Sequence, residues 1–263
     1  MLNPEPAGIH PTAVVHPRAE LDPGAVVGPF AVIGAGVKIG AGTAIGAHAV
    51  LEGPTEIGRD NRIGPFVCLG GAPQHVGYRG EPTRLRVGDR NLIREYVTIH
   101  RGTVQGRGET VVGNDNFIMI GCHVAHDGVL GDHIIMANQA MLAGHVVLED
   151  HVVLGGISGV HQYCRVGRGA MLGAISGTPM DVGPWSLVAG DRGRFIGLNR
   201  IGMKRVGLSP ETTRALHRAY RTIFRSGLKL EEGLDKAQAE FGADPEVAHL
   251  LEFIRTSKRG VLR

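Results

Sequence analysis

Large aliphatic residues return every six positions along most of this chain. Counted from Ile9, the leading residues are Ile9, Val15, Leu21, Val27, Ile33, Ile39, Ile45, Leu51, Ile57, Ile63 and Leu69. Each is Leu, Ile or Val, and from Val27 onward a glycine usually follows, with Glu52 the exception. The phase resumes at Val87, Ile93 and Ile99, slips by one residue after QGRGET (105–110), and then runs from Val112 through Ile118, Val124, Leu130, Met136, Leu142, Leu148, Leu154, Val160 and Val166 to Leu172. A period of six fits neither a 3.6-residue helix nor a two-residue alternation. It predicts short strands separated by tight turns, each giving one aliphatic side chain to a shared interior. Glycine after the aliphatic suits a corner that no bulky side chain can turn. Such repeats read as a parallel β-helix. The regularity argues against a Gly-rich loop protein or a right-handed solenoid.

The pattern [LIV]-G-x-x-x-x resembles the left-handed parallel β-helix of the hexapeptide acyltransferases. That resemblance implies the handedness, and it implies that three hexads make one triangular coil.

Two breaks interrupt the repeat. GGAPQHVGYRGEPTRLR (70–86) is expected to fill a full eighteen-residue period, because the phase survives it. Its prolines and glycines mark an excursion from the prism, and a loop on a rigid scaffold is a good place for binding residues. QGRGET is glycine-rich, but no strand-to-helix transition follows it, so it is not read as a nucleotide P-loop. After Leu172 the repeat degrades through one last irregular coil (SGTPMDVGPWSLVAG), and from about Asn199 the pattern becomes helical. Ser209-Pro210 and Asp244-Pro245 each read as an N-cap followed by proline at the first helical position. Leu216, Tyr220 and Phe224 mark an apolar face that ends at Gly227, a second helix is expected over 230–241, and Val247, Leu250, Leu251 and Ile254 mark a third. The chain therefore divides into a β-helix domain, 1–198, and a helical domain, 199–263, that covers the open edge of the stacked coils.

Composition narrows the function. The chain has 263 residues, 41 of them glycine, and only 5% aromatics, which suits thin wound coils. A net charge of +3 is too mild to argue for nucleic acid. Lys204, Arg205, Arg214, Arg218, Arg221 and Arg225 make the helical region locally basic, which suits an acidic partner. Cys68, Cys122 and Cys164 form no close pair, as expected in a reducing cytoplasm. Nothing activates Cys122 or Cys164 as a nucleophile, so both are expected to be buried and inert. The opening MLNPEPAGIHPTAVVHP lacks the features of a signal peptide, and no stretch has the length and apolarity of a membrane span.

Candidate chemistry concentrates between Ile118 and His161. Residues eighteen apart should lie one above another, roughly 4.8 Å apart, the spacing of neighbouring strands. His126 is then expected beneath Gly144, with His145 beside it. One coil further, Gln162 falls over Gly144 with His161 beside it, so that His126, His145 and His161 form one column. His123 shares a coil with His126, and Asp127 is the next residue. A single histidine on such a scaffold is ordinarily packed or solvated, as expected for His10, His16 and His48. Three in a column beside an aspartate point to chemistry. A neutral imidazole can take a proton from a hydroxyl, and the Gly144 amide can approach a developing oxyanion closely. A zinc centre like that of the γ-class carbonic anhydrases is the alternative from another class. The spacing His123-x-x-His126 lacks the His-x-x-x-x-His associated with it, so no metal is expected. No regular threonine ladder of the ice-binding kind is present.

IREYVTIHRGTVQGRGETVVGNDNFIM (93–119), HVAHD (123–127), LAGHV (142–146), GVHQYC (159–164), GEPTR (80–84), NRIGMKR (199–205) and the ending RG-x-x-R resemble the UDP-N-acetylglucosamine O-acyltransferases that begin lipid A synthesis. The resemblance covers nearly the whole chain. It implies a cytoplasmic homotrimer with sites between neighbouring prisms and no cofactor. The donor would be an (R)-3-hydroxyacyl chain on acyl carrier protein, and the acceptor UDP-N-acetylglucosamine. His126 matches the general base, Asp127 its orienting partner and Gly144 the oxyanion donor. Gln74, His123, His145, His161, Gln162, Asn199 and Arg205 match substrate-contacting positions. Met171, Gly173 and Ala174 lie where the acyl-chain ruler would be. The chain departs from the best-known members at His75 (Asp there), Gly77 (Lys) and Val206 (Arg), and Arg79 is the candidate replacement for the missing charges. His75 raises the alternative of a 3-amino-3-deoxy acceptor and an amide product.

Overall fold

The computed structural model describes residues 8–263, so the first seven residues of the chain opening discussed above lie outside it. The repeat folds into a left-handed β-helix of triangular section. Among the described residues its three faces are parallel sheets of nine, eight and ten strands, most of them two residues long, and only the final strand pair, Ser186–Ala189 with Arg194–Leu198, is antiparallel. Registers such as Val14↔Val32 and Ile135↔Val153 give eighteen residues per coil. The leading aliphatics point inward and form one continuous core; Ile33, Leu69, Ile118 and Leu172 are among its buried members. The glycine after them is required by the next coil. A β-carbon on Gly40 would come 2.6 Å from the Gly58 carbonyl carbon and oxygen.

Buried asparagines stitch successive coils together at the turn into the ten-stranded face. Asn61 Oδ1 accepts from Asn91 N (2.9 Å), Asn91 Oδ1 from Asn116 N (3.0 Å), and Asn116 Oδ1 from Ile134 N (2.7 Å). Each satisfies a buried backbone donor that the tight corner leaves without a strand partner.

Both sequence breaks leave the prism at one corner, where the nine-stranded face turns into the eight-stranded face. Leu85 pairs with Thr55, thirty residues back, where the repeat alone gives eighteen. The first excursion therefore adds twelve residues, not a full eighteen. Twelve is two hexads, which is why the phase survives. Val111 pairs with Arg86, twenty-five residues back, so the second break adds seven and shifts the phase by one.

The tail forms α1 (Arg200–Arg205), α2 (Pro210–Arg225), α3 (Leu230–Phe241) and α4 (Pro245–Arg255). Ser209 Oγ accepts from Thr212 N, and Asp244 accepts from Glu246 N and Val247 N, so both expected caps form. A second hydrophobic cluster gathers Leu216, Tyr220, Leu234, Leu250 and Phe253 around Trp185, with Phe195 and Leu198 packed against it. That core draws on residues before Asn199. Arg168–Glu246 (3.0 Å) and His249–Glu149 (2.7 Å) tie α4 to the prism.

Candidate active site

Three consecutive coils present Asp127, His145 and Tyr163 at the corner that carries the two excursions, each with φ near +60°. His126 precedes this corner, and its ring packs against Gly144 of the next coil. A β-carbon on Gly144 would sit 2.7 Å from His126 Cε1 and 2.9 Å from Nε2. Among the described residues the Gly144 N–H has no acceptor within the chain. His126 Nδ1 lies 2.8 Å from Asp127 Oδ2 and donates to it. His126 is 9% exposed and Asp127 1%.

The carboxylate is surrounded by donors. Thr103 N reaches both oxygens (3.1 Å each), Thr103 Oγ1 donates to Oδ2 (2.7 Å), and Arg107 N to Oδ1 (2.8 Å). Burial acts to raise the Asp127 pKa, but hydrogen bonds from His126, Thr103 and Arg107 outweigh it and hold the group below the usual carboxylate value. An ionised carboxylate only accepts. The His126 proton therefore sits on Nδ1, and the Nε2 lone pair faces the space beside Gly144.

The neighbours are imidazoles. His145 meets His126 edge-on (5.0 Å) and stacks on Tyr163 (4.2 Å); burial lowers its pKa, partly opposed by Asp127. His75, brought from the first excursion, meets the other side of His126 edge-on at 5.4 Å. On the adjoining nine-stranded face, His123 Nδ1 hydrogen-bonds Thr98 Oγ1 (2.7 Å) and packs edge-on to His100. Burial, and then the charges of His100 and His126, push His123 down to about 4. Gln74, His123 and His161 line an open groove on that face with Met141, Gly159 and Arg192.

The expected column needs one correction. His161 does not stack with His126 and His145. Eighteen residues beyond His145 is Tyr163, and the two-residue offset carries His161 round the corner onto the face, where Arg259 Nη2 lies 3.2 Å from its Nδ1. Gln162 is exposed beside it. Asn199 is not with the histidines either. It is the buried N-cap of α1, accepting from Gly202 N and donating to Gly169 O (2.9 Å). Arg205 lies exposed at the other end of α1. Met171 belongs to the ten-stranded face, and Gly173 and Ala174 approach the corner that joins it to the nine-stranded face. Arg79 does not reach out in place of the missing charges; its guanidinium bonds the carbonyls of Val76 and Tyr78 in its own loop. Cys122 and Cys164 are buried as expected, and burial raises the Cys122 thiol to about 11.

His126, Asp127 and His145 bring ligand atoms within 4.8 Å of one another, a spacing that can hold a metal ion. Asp127, however, already accepts from Thr103, Arg107 and His126. A zinc ion would have to displace those donors, so the arrangement fits proton transfer better than metal ligation.

Known proteins resemble this chain over most of its length. A profile described as UDP N-acetylglucosamine O-acyltransferase, domain 2, matches residues 181–262, and one for bacterial transferase hexapeptide repeats matches 36–71. The acyl-[acyl-carrier-protein]–UDP-N-acetylglucosamine O-acyltransferase of Halorhodospira halophila is 51% identical over 212 residues, covering 81% of this chain and 82% of its own. The chain belongs to this family. Two solved members superimpose closely. The enzyme of Francisella novicida has a TM-score of 0.95 at 36% identity, over 97% of this chain and 94% of its own. That of Moraxella catarrhalis scores 0.94 at 42% identity, over 97% and 99%.

Several members of the site escaped the reading of the sequence. Thr103, Arg107 and Thr110 contact Asp127 across a seven-residue insertion whose path no periodicity describes. Tyr163 was available from the eighteen-residue spacing, and His100 from its place beside His123 one coil away.

Proposed function

We propose that this chain transfers an (R)-3-hydroxyacyl group from acyl carrier protein to the 3-hydroxyl of UDP-N-acetylglucosamine, the first step of lipid A synthesis. The relatives' names specify that donor carrier and that acceptor. One observation supports the mechanism above the others: His126 is bonded through Nδ1 to Asp127, with Nε2 close to Gly144, whose N–H has no acceptor within the chain among the described residues. His126 Nε2 takes the proton of the 3-hydroxyl as its oxygen attacks the thioester carbonyl. The resulting oxyanion accepts from Gly144 N–H. The C–S bond then breaks, and protonated His126 returns the proton to the leaving thiolate. Asp127 stabilises the imidazolium between the two steps.

Gln74, His75, His123, His145, His161 and Gln162 are assigned to acceptor binding. Asn199, Arg205 and the ruler residues Met171, Gly173 and Ala174 lie away from His126 in one chain, which supports a homotrimer whose sites form between prisms. Acyl carrier protein, an acidic partner, suits the surface of Arg200, Arg214, Arg218, Arg221 and Arg225 over Phe195 and Phe224. We assign 1–198 to the catalytic prism and 199–263 to a helical domain, and place the enzyme in the cytoplasm; no described helix is long and apolar enough to cross a membrane.

The test is a competition. The enzyme, a 3-hydroxyacyl carrier protein and equal UDP-N-acetylglucosamine and 3-amino analogue are mixed, and products are weighed by mass spectrometry. A dominant ester is expected. A dominant amide reassigns the acceptor and makes His75, edge-on to His126, the residue that retuned it. No acyl transfer to either sugar sinks the proposal.

A further inference from the structure

The seven residues added by the second break do one thing in this fold: they wrap Asp127. The wrap starts at Thr103, which is fully buried and whose carbonyl accepts from Gly106 N (3.1 Å) and Gly108 N (2.9 Å), closing a tight turn. The turn aims Thr103 N, Thr103 Oγ1 and Arg107 N at the carboxylate. Thr110, also fully buried, accepts from Asp127 N (2.9 Å) through its hydroxyl. Gly106 lies against the carboxyl group so closely that a β-carbon there would overlap all three of its atoms. A plain hexad corner would leave such a side chain in solvent, as the repeat leaves His48.

The pattern of donors is directional. Oδ1 takes Arg107 N, Oδ2 takes Thr103 Oγ1 and His126 Nδ1, and Thr103 N is shared by both oxygens. Thr103 thus grips the carboxylate through both its N–H and its hydroxyl while Oδ2 still accepts from His126. The ring is thereby held in one tautomer and one orientation, with its basic nitrogen at Gly144. Thr103 is buried beneath Asp127 and touches no surface that an acceptor or donor could reach.

We propose that Thr103 is a positioning residue for acyl transfer, and that the loop built on it serves to lock the Asp127 carboxylate against His126. This rests on His126 being the general base. An orienting partner of this kind is worth about 10- to 100-fold in rate.

The experiment uses the full-length enzyme and compares Thr103→Val, Thr103→Ser, Asp127→Asn and the double variant Thr103→Val/Asp127→Asn, with His126→Ala alongside. Thr103→Val keeps the shape and removes the hydroxyl that donates to Asp127 Oδ2 and accepts from Gly106 N (3.2 Å). Its kcat should fall at least about tenfold with the acceptor KM unchanged, and Thr103→Ser should restore most of it. In the Asp127→Asn background, Thr103→Val should cost less than about twofold, because its effect passes through the carboxylate. Equal losses in both backgrounds, or near-normal kcat in Thr103→Val, overturn the proposal. If Thr103→Val does not fold, Gly106→Ala decides. It removes no hydrogen bond but drives a methyl into the carboxylate, and should lose as much kcat as Asp127→Asn; normal kcat there also overturns the proposal. Should His126→Ala retain turnover, the general-base reading falls and the positioning role with it. An inactive His126→Ala beside a normal Thr103→Val removes the positioning role alone.

Discussion

Where the ten-stranded face turns into the nine-stranded face, Phe30, His48, Phe66 and Tyr96 stack in an exposed ladder, with ring centroids 5.0 to 5.2 Å apart. Where the nine-stranded face turns into the eight-stranded face, Asp127, His145 and Tyr163 occupy the same left-handed backbone, at φ 61°, 62° and 63° against 58° to 60° in the ladder. Both corners place side chains that rarely adopt positive φ there, and both stack them at the strand spacing. The ladder stays in water: Phe30 is 56% and Tyr96 59% exposed. The other corner is capped by the two insertions, one bringing Thr103 under Asp127 and the other His75 against His126. The repeat supplies a corner, and the loops decide whether an imidazole on it is solvated or held for proton transfer.

That contrast can be broken at several points. The largest effect belongs to His126→Ala. It should lower kcat by about a thousandfold, within the range for general base catalysis, while circular dichroism remains native, because the core behind it is untouched. Retained turnover would put the ladder histidine and this one on equal terms. Gly144→Ala comes next. Its methyl would meet His126 Cε1 at 2.7 Å and crowd the oxyanion donor, so steady-state kinetics should show a loss of about a hundredfold, comparable to removing an oxyanion donor.

A smaller effect concerns stability in acid. The folded Asp127 carboxyl titrates below its unfolded value. Its contribution is therefore fully present above the ordinary carboxylate pKa of about 4 and is lost as pH falls through the lower folded value. Denaturant titrations between pH 6 and pH 3 should show a shallower pH dependence in Asp127→Asn than in the wild type; identical slopes would mean that the cradle does not favour the ionised form. The smallest effect is His48→Ala. It removes two stacked contacts from the open ladder, worth about 1 kcal/mol together, and should lower Tm by a few degrees at most without changing kcat.

Much of this molecule was legible in advance. Hexad phase located the inward residues from Val27 to Leu172, and Ser209 and Asp244 announced α2 and α4 through cap chemistry that acts within one turn. His126, Asp127 and Gly144 could be brought together by counting eighteen. Counting eighteen from His145 also gives Tyr163; placing His161 in the column overlooked that a corner holds only one residue per coil in the stack. The strand Arg194–Leu198 also escaped, since its partner, Ser186–Ala189, is itself outside the repeat. Asn199 reads as a ligand by resemblance, yet within one chain both ends of its side chain are spent on Gly202 and Gly169.

The sequence by itself determined the coil, its period, the helical tail and the coil on which His126 stands, since these depend on local backbone preference and on which side chains can share a thin core. Only the tertiary structure decided that both insertions leave from one corner, that twelve and seven residues suffice to reach His126 and Asp127, and that Thr103 rather than water receives the carboxylate. Those contacts join residues twenty or more positions apart through irregular backbone. Their geometry is set by where the loops land on the prism, which no periodic pattern encodes.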